Sequence, residues 1–336
     1  MEHYSEDSVL RQPRIPDSPP IVRPLTPGMD RPLWSVMIPV YNCSAYLVKT
    51  LACVLGQDPG ASRMQIEVID DASTDADVAA LVREIGQGRV SYFRQPGNVG
   101  SLRNFHTCLE RSRGYLVHIL HGDDLVHGGF YEKMGLLFEK YPSLGAGFCR
   151  YAYINETGRT LYNQDPEMED AGILPHWLER LGERQRIQYV AMVVKREVYE
   201  TLGGFYGVEY GEDWEMWMRI AARYDTGYCP EILASYRKHH SSISGKSFVT
   251  GGNMVSLDWV MEKIRVHLPA HRRAAILRTS RNFYAHYALR VANALWKNFR
   301  DKRGASVQAM AAWNMSKDVG LLYKIIKLYT RITLNI

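Results

Sequence analysis

The chain has 336 residues, 46% of them hydrophobic, and a formal net charge of +5 at pH 7, which is typical of a globular protein with one large domain and an appendage. No apolar run approaches the ~20 residues of a membrane-spanning helix, and the polar, acidic first residues exclude a signal peptide. The five dispersed cysteines contain no CxxC pair, so we expect a reducing, cytoplasmic setting without disulfides.

The charge is distributed unevenly along the chain. Residues 1–32 contain seven of the fifteen prolines and few aliphatic residues, which predicts a disordered leader. From Gly251 onward, fifteen Lys and Arg stand against four Asp and Glu. This basic region favours contact with an anionic surface, lipid before nucleic acid, although a solvated helical face gives the same pattern. We expect no nucleic-acid partner, and we expect a protein that is soluble or peripheral at the inner face of the membrane.

Strand-like apolar segments alternate with helical segments after the leader. Strands are predicted at 34–40, 65–70, 90–94 and 115–120, with helices at 44–56, 75–85 and 99–111 between them. The alternation predicts right-handed crossovers and a Rossmann-like α/β fold, in which helices flank a mostly parallel sheet. Later strands are predicted at 145–154, 186–195 and 228–236, and helices at 212–223 and from 251 onward. The expected domains are a catalytic domain at 33–249 and a basic helical region at 250–336.

Polar residues follow each of the first four predicted strands. Ligands of open parallel sheets bind beyond the carboxyl ends of the strands, so these clusters are predicted to meet at one edge. They occupy residues 39–42, 70–75, 95–98 and 122–124. Of the pair Asp70 and Asp71, one can cap the following helix while the other accepts hydrogen bonds from a base or ribose. Arg103, near the start of the third helix, suits a phosphate, although an ordinary turn gives the same pattern.

Two further acidic pairs and one histidine are candidates for chemistry. Asp123 and Asp124 follow the fourth strand, where carboxylate oxygens suit Mg²⁺ or Mn²⁺, although Gly-Asp-Asp turns also occur without a metal. Glu212 and Asp213 open a Trp-rich helix, where they either complement the helix dipole or supply a general base for an acceptor hydroxyl. His239 lies after the last strand, in a loop that can fold a metal ligand over a diphosphate.

In order, these segments resemble the family 2 inverting glycosyltransferases of the GT-A fold over about residues 35–244. The matching motifs are Ser-Val-Met-Ile-Pro-Val-Tyr-Asn at 35–42, Val-Ile-Asp-Asp-Ala-Ser-Thr-Asp at 68–75, Asn-Val-Gly-Ser-Leu-Arg-Asn at 98–104, Leu-His-Gly-Asp-Asp-Leu at 120–125, Glu-Asp at 212–213, and Tyr-Arg-x-His-x-x-Ser-x-Ser at 236–244. The resemblance implies a nucleotide-diphosphate sugar donor of the UDP type. It also implies a saccharide, lipid-linked or protein acceptor, as in cell-envelope polysaccharide synthesis, and one inverting displacement without a protein nucleophile.

The resemblance also implies roles for single residues. Asp123 would ligate Mn²⁺ or Mg²⁺, His239 would join it, and Asp213 would be the general base, with Glu212 as the alternative. His121 stands where the family commonly has an aspartate, which leaves its contact with the ribose open and makes Asp124 a second candidate for the ion. The residues implied in nucleotide binding are Pro39, Val40, Tyr41, Asp71, Asn98, Arg103 and His121.

Other classes of protein share parts of this pattern. A nucleotidyltransferase shares the sheet and a carboxylate metal site but typically has a Gly-rich basic loop after the first strand, and a dehydrogenase needs GxGxxG there. Residues 39–42 provide neither. A sugar-nucleotide-binding protein without catalysis would keep the fold, and the four residues Asp71, Asp123, Asp213 and His239 argue against it.

The tail at 321–332 is predicted to be a helix with two kinds of face. Apolar residues recur at 321, 322, 325, 326, 328, 329 and 332, while Lys324, Lys327 and Arg331 fall on another face. Such a helix either lies in a membrane interface with its cations at anionic headgroups or docks on the catalytic domain with a basic outer side.

Overall fold

The computed structural model describes residues 13–239 and 243–336. Within them, helices flank a mostly parallel central sheet, and a helical region follows, which confirms the predicted α/β class. The first of two compact units contains the described part of residues 1–175 together with 187–207 and 223–238. The second contains 176–186, 208–222 and 239–336. These units differ from the predicted linear boundary at residue 250, because two segments from the middle of the chain belong with the C-terminal helices.

The described strands form one sheet. In chain order they are β1 (Trp34–Val40), β2 (Met64–Asp70), β3 (Ser91–Arg94), β4 (Leu116–Ile119), β5 (Leu125–Val126), β6 (Leu144–Ile154), β7 (Thr160–Asn163), β8 (Gly172–Ile173), β9 (Met192–Lys195) and β10 (Asp225–Arg237). The order across the sheet is β3-β2-β1-β4-β9-β6-β10-β5. Four strand pairs are parallel, namely β1–β2, β1–β4, β2–β3 and β6–β10. The longest strand pairings are thus parallel, as predicted.

The first strands form the centre of the core. Every residue of β1 and β2 is buried, and strands covered on both faces read as nearly continuous apolar runs, which is why the sequence predicted them well. The predicted strand at 186–195 is wrong in its first half. Residues Tyr189–Ala191 form a 3₁₀ turn and the strand begins at Met192, because the Val190 carbonyl bonds the buried imidazole of His118 at 3.0 Å.

The helices lie between and after these strands. In chain order they are α1 (Ser44–Leu55), α2 (Val78–Gly86), α3 (Ser101–Arg111), α4 (Phe130–Lys140), α5 (Trp177–Glu183), α6 (Arg196–Leu202), α7 (Glu212–Ala221), α8 (Ile243–Thr250), α9 (Gly252–Ile264), α10 (Arg273–Phe299), α11 (Lys302–Met315) and α12 (Val319–Leu334). Among those described, none is both long enough and apolar enough to cross a membrane. Helices α5 and α7 through α12 form the second unit.

The second unit is joined by aromatic and polar contacts. Trp214 Nε1 of α7 donates to Leu181 O of α5 at 2.8 Å, and the Trp214 ring lies 5.3 Å from that of Tyr284 on α10. Helix α12 packs on α10 and α11, and Trp296 Nε1 donates to Ile336 O at 2.9 Å. The residues that α12 buries are Leu321, Ile325, Leu328 and Ile332. One face of the tail is therefore docked on its own unit.

Residues 13–32 lie along the first unit, although their composition predicted a disordered leader. Gly204 N donates to Pro20 O at 2.8 Å and Gly207 N to Pro16 O at 2.9 Å, and the side chain of Val22 is fully buried. Proline lacks an amide donor but keeps its carbonyl acceptor, so amides of the first unit hold this segment. Hydropathy does not report such backbone contacts. We call residues 13–23 the N-terminal strap.

Candidate active site

The loops that follow β1, β2 and β4 meet at one edge of the sheet, as predicted. Thr74 N donates to Asn42 Oδ1 at 2.8 Å and Asn42 N donates to Ser73 Oγ at 3.0 Å, which joins the first two loops. Gly122 N donates to Pro39 O at 3.2 Å, which joins the loop after β4 to β1. Because parallel strands end at a common edge, their polar loops form one continuous surface.

Three residues at the end of β1 and directly after it are implied in nucleotide binding by the family resemblance. Pro39 and Val40 are buried strand residues, and Val40 O accepts a hydrogen bond from Asp71 N at 2.8 Å. Tyr41 follows the strand and is 50% exposed. Tyr41 therefore has the accessible side chain of the three, and nucleotide binding by the backbone of this segment stays a prediction.

Asp70 and Asp71 have different partners although they are adjacent. Asp70 forms an ion pair with Arg94 and accepts hydrogen bonds from Tyr92 Oη at 2.7 Å and Ser73 N at 2.9 Å. Its carboxylate thus stabilises the turn after β2 and the adjoining β3. This contact assigns the structural role of the pair to Asp70.

Asp71 connects the second strand end to the start of α3. Its carboxylate accepts hydrogen bonds from Val99 N at 2.7 Å, Gly100 N at 3.0 Å and Asn98 Nδ2 at 2.9 Å. Burial raises the pKa of Asp71 to about 6, against the two amides and the positive charge of Arg14, which lower it. A carboxylate has about four acceptor positions, so three partners leave Asp71 able to accept one more hydrogen bond.

Asn98, which donates to Asp71, and Arg103, in the first turn of α3, contact the N-terminal strap. The carbonyl of Asn98 accepts a hydrogen bond from Arg14 Nη1 at 2.8 Å, while Arg103 Nε donates to Pro13 O at 2.9 Å. Partial burial lowers the pKa of Arg103. These contacts were not predicted, because the composition of the strap indicated a disordered leader.

The loop after β4 brings together three groups that can ligate a metal. Ligand atoms of His121, Asp123 and Asp124 lie within 4.8 Å of one another. Among the described residues, His121 Nε2 and Asp124 Oδ2 are buried without a hydrogen-bond partner. Burial, reinforced by the charge of Asp123, raises the pKa of Asp124 well above its ordinary value. Two carboxylates and an imidazole with unpaired buried acceptors fit a divalent cation.

The rings of two aromatic residues fix the His121 side chain in this loop. His121 stacks on Phe105, with centroids 5.2 Å apart, and its centroid lies 4.6 Å from that of Tyr189. Burial lowers the pKa of His121, against the charge of Asp123. A neutral imidazole is the form that ligates metals, so the environment favours a ligand at the position where the resembling family has aspartate.

Arg237, at the end of β10, holds this loop in place. Its backbone N donates to Asp124 Oδ1 at 2.8 Å and its Nε to Asp123 O at 2.7 Å. The guanidinium is buried, and its Nη1 donates to Asn155 O at 3.1 Å and Glu156 O at 3.0 Å. No role for Arg237 was predicted from the sequence, because its partners come from segments more than 80 residues away.

Asp213 lies in the first turn of α7 in the second unit. Its carboxylate accepts hydrogen bonds from Trp214 N at 2.7 Å and from Gln185 Nε2 at 2.5 Å. Burial raises the pKa of Asp213 to about 6, against these two donors. Gln185 Oε1 accepts from Arg186 N at 2.8 Å, which orients the amide group so that its NH₂ faces the carboxylate. Glu212 is buried next to Asp213 in the chain.

His239 follows β10 by two residues and belongs to the second unit. Residues 240–242 of the predicted closing motif lie outside the described residues. The predicted role of His239 as a metal ligand therefore stays a prediction.

Sequence comparison finds a match over most of these positions. The family model described as Glycosyl transferase family 2 matches residues 35–216, a range that includes the strand-end loops, His121, Asp123, Asp124 and Asp213. An uncharacterized protein of Mycobacterium tuberculosis is 29% identical over 225 residues, which cover 62% of this chain and 68% of that protein.

Solved structures resemble the chain at low sequence identity. S. aureus TarS 1–349 in complex with UDP-GlcNAc matches with a TM-score of 0.63 and 14% identity, over 89% of this chain and 90% of that one. The mannosyltransferase PcManGT from Pyrobaculum calidifontis, in complex with GDP-Man and Mn²⁺, matches with a TM-score of 0.51 and 18% identity, over 93% of each chain. At these identities the likeness concerns the fold, which is that of the GT-A enzymes.

Proposed function

Because the chain belongs to glycosyl transferase family 2, we propose that this glycosyltransferase moves a sugar from a UDP-sugar to an acceptor hydroxyl with inversion. The observation that carries the proposal is the cluster of His121, Asp123 and Asp124 at the edge where the strand-end loops meet. Ligands of such sheets bind at this edge. A sugar donor that carries a diphosphate therefore needs groups there that can neutralise its negative charge. The UDP-GlcNAc bound in the TarS structure supports a uridine nucleotide.

We assign Mn²⁺ or Mg²⁺ to this cluster. Asp123, Asp124 and His121 would hold the ion from the loop after β4, and His239 would join them. The unpartnered His121 Nε2 and Asp124 Oδ2 support the assignment, since buried polar atoms without partners are costly. When bound, such an ion neutralises the negative charge on a leaving diphosphate. The Mn²⁺ in the mannosyltransferase structure supports manganese.

Asp213 is the proposed general base. With a pKa of about 6, its carboxylate is mostly deprotonated at neutral pH and close enough to that pH to accept a proton efficiently. It takes the proton of the acceptor hydroxyl as that oxygen forms a bond to the anomeric carbon. The bond between that carbon and the diphosphate oxygen breaks on the opposite face, so a single displacement gives inversion.

A panel of nucleotide sugars tests this function. The full chain is incubated with UDP-, GDP- and CDP-sugars with Mn²⁺, with Mg²⁺ or with a chelator, and free nucleotide diphosphate is measured. We expect metal-dependent release of UDP. Nucleotide binding without release from any donor, with saccharide and lipid-linked acceptors supplied, would instead identify a binding protein without catalysis.

We also propose that α12 holds the enzyme at an anionic membrane, where cell-envelope acceptors are assembled. Away from its docked residues, α12 exposes Leu322, Tyr323 and Ile326, with 38%, 68% and 56% of their surface accessible. Lys324, Lys327 and Arg331 line a groove with His286 and Arg290 of α10. An exposed apolar face beside a row of cations is typical of helices that lie in a membrane interface, and each cation adds about 1 kcal/mol near an anionic surface.

Liposome sedimentation tests this second proposal. The full chain should sediment with vesicles that contain anionic lipid at low salt, and high salt or deletion after Asp318 should abolish sedimentation. Ile326→Glu should weaken binding, whereas Val255→Glu, at an even more exposed position on α9, should not. Equal binding of both variants, or no binding by the full chain, would make α12 a packing element.

A further inference from the structure

The N-terminal strap reaches residues implied in nucleotide binding. Arg14 Nη1 donates to Asn98 O at 2.8 Å, and Pro13 O accepts from Arg103 Nε at 2.9 Å. The Arg14 guanidinium also lies over Gly100, with its atoms 3.2–3.3 Å from where a β-carbon would stand. The missing side chain at Gly100 thus gives the guanidinium its place beside the start of α3.

Contacts further along the strap fix the position of Arg14. Pro16 and Pro20 accept hydrogen bonds from backbone amides, Val22 is fully buried, and Arg23 N donates to Glu110 Oε1 at 2.8 Å. Arg196 Nη2 donates to Arg23 O at 3.1 Å. A segment held at four successive points delivers its first charged residue to a defined place.

Beside the start of α3, the Arg14 guanidinium supplies hydrogen-bond donors and the Asp71 carboxylate supplies an acceptor. A guanidinium has five N–H donors, and the Asn98 carbonyl uses one of those of Arg14. The carboxylate of Asp71, bonded to the amides of Val99 and Gly100, has one acceptor position left, and the charge of Arg14 acts on it. A donor beside an acceptor complements a base edge on which a carbonyl adjoins a ring N–H. Uracil and guanine have that edge, whereas cytosine and adenine have an unprotonated ring nitrogen beside an amino group.

We propose that Arg14 is a specificity residue for the donor nucleotide, whose guanidinium donates to the base carbonyl while Asp71 accepts the base N–H. The inference rests on the proposed donor site and restricts its nucleotide to the uracil or guanine class. It also gives the strap a function: the strap completes the base pocket from outside the segment that carries the family motifs.

Binding measurements with Mn²⁺ test this proposal. Dissociation constants for UDP, GDP, CDP and ADP are measured for the full chain and for Arg14→Ala, Arg14→Lys and Arg23→Ala. The last variant removes an equal charge from the same strap, where the hydrogen bonds of Arg23 come from its backbone. For the uracil or guanine nucleotide that binds, Arg14→Ala should weaken affinity about tenfold or more, as expected for a hydrogen bond from a charged group. Arg14→Lys should lose less affinity.

The ratio of affinities for different nucleotides separates a loss of base recognition from a defect in folding. We expect Arg14→Ala to reduce the ratio of UDP or GDP affinity to CDP affinity, with an unchanged melting temperature and with Arg23→Ala within twofold of the wild type. Equal weakening for all four nucleotides, or no difference between Arg14→Ala and Arg23→Ala, would overturn the inference while leaving the donor site in place. A wild-type chain that binds none of the four would overturn both.

Discussion

The strand-end loops of the first unit and the acidic helix of the second place their carboxylates by different means. Asp71 and Asp213 are both buried, and burial raises the pKa of each to about 6. Asp71 is held by two backbone amides and Asn98 at the next strand-end loop. Asp213 has its neighbour's amide and one side-chain donor, Gln185, which precedes it by 28 residues. Burial therefore raises the pKa to about 6 both in a carboxylate held by three groups of a strand-end loop and in one held by its neighbour's amide and one distant side chain.

This difference separates the proposed roles. The hydrogen bonds to Asp71 hold the carboxylate in one orientation, which suits a group that recognises a ligand. Asp213 has fewer partners, so gaining a proton there disrupts fewer hydrogen bonds, which suits a group that must gain and lose a proton in each turnover. Substitutions at or beside these carboxylates test whether the two environments differ in function as they differ in structure.

Asp213→Asn should have the largest effect. Asparagine keeps the size of the side chain but cannot take a proton, so kcat should fall by about 10²- to 10⁴-fold or more, while nucleotide binding stays nearly unchanged. Steady-state kinetics check the fall in kcat, and a separate measurement of donor binding checks that nucleotide affinity is nearly unchanged. Glu212→Gln, which changes the adjacent buried carboxyl, is the matched control and should retain most activity. Full activity in Asp213→Asn with a loss in Glu212→Gln would transfer the role of base to Glu212.

Asp123→Ala should have the next largest effect, and it should depend on the metal. Because the proposed role of Asp123 runs through the ion, affinity for UDP should fall in the presence of Mn²⁺ but not in a chelator. Asp75→Ala removes a carboxylate from the same sheet edge that instead bonds Ser44 N at 2.9 Å, so it should keep the metal response. His239→Ala should show the pattern of Asp123→Ala in milder form. Equal weakening of UDP binding by Asp123→Ala with and without metal would mean that Asp123 contacts the nucleotide directly.

The first unit was predictable from sequence because its information is local. Buried strands such as β1 read as apolar runs, each polar loop follows its strand directly, and parallel pairing alone brings the loops together. The convergence of Asn42, Ser73 and Gly122 on one edge follows from those three facts. The 3₁₀ turn before β9 was not predictable, since its cause is the contact of Val190 with buried His118.

Contacts between residues far apart in the chain leave no signal in the local sequence. Gln185 stands in a polar stretch and Arg14 in a proline-rich segment, and no local pattern marks either residue. Arg237 belongs to the motif at 236–244, but that motif does not reveal the contacts of its side chain. Each gains its place from a partner more than 25 residues away: Asp213 for Gln185, Asp123 for Arg237 and Asn98 for Arg14. Long-range pairing of this kind requires the fold, which composition and periodicity do not contain.

Gln185→Leu should have the smallest effect, and it should show how strongly one hydrogen-bond donor influences the pKa of Asp213. Gln185 Nε2 stabilises the ionised form of Asp213, so its removal should raise the pKa of Asp213 further. A base acts when deprotonated, so the rate of the wild-type enzyme should rise with pH through about 6, and in Gln185→Leu this rise should move to higher pH. The backbone N of Gln185, which donates to Tyr284 Oη at 3.0 Å, is kept in the variant. Gln188→Leu, the same change at a comparably buried position three residues later, should leave the profile in place.

kcat measured from pH 5 to 9 decides between two roles for Gln185. Recovery of the wild-type rate at high pH means that the donor tunes the proton affinity of Asp213, because a fully ionised carboxylate no longer needs it. A constant loss across the range means that Gln185 orients the carboxylate, and an unchanged profile would contradict Asp213 as the group that titrates.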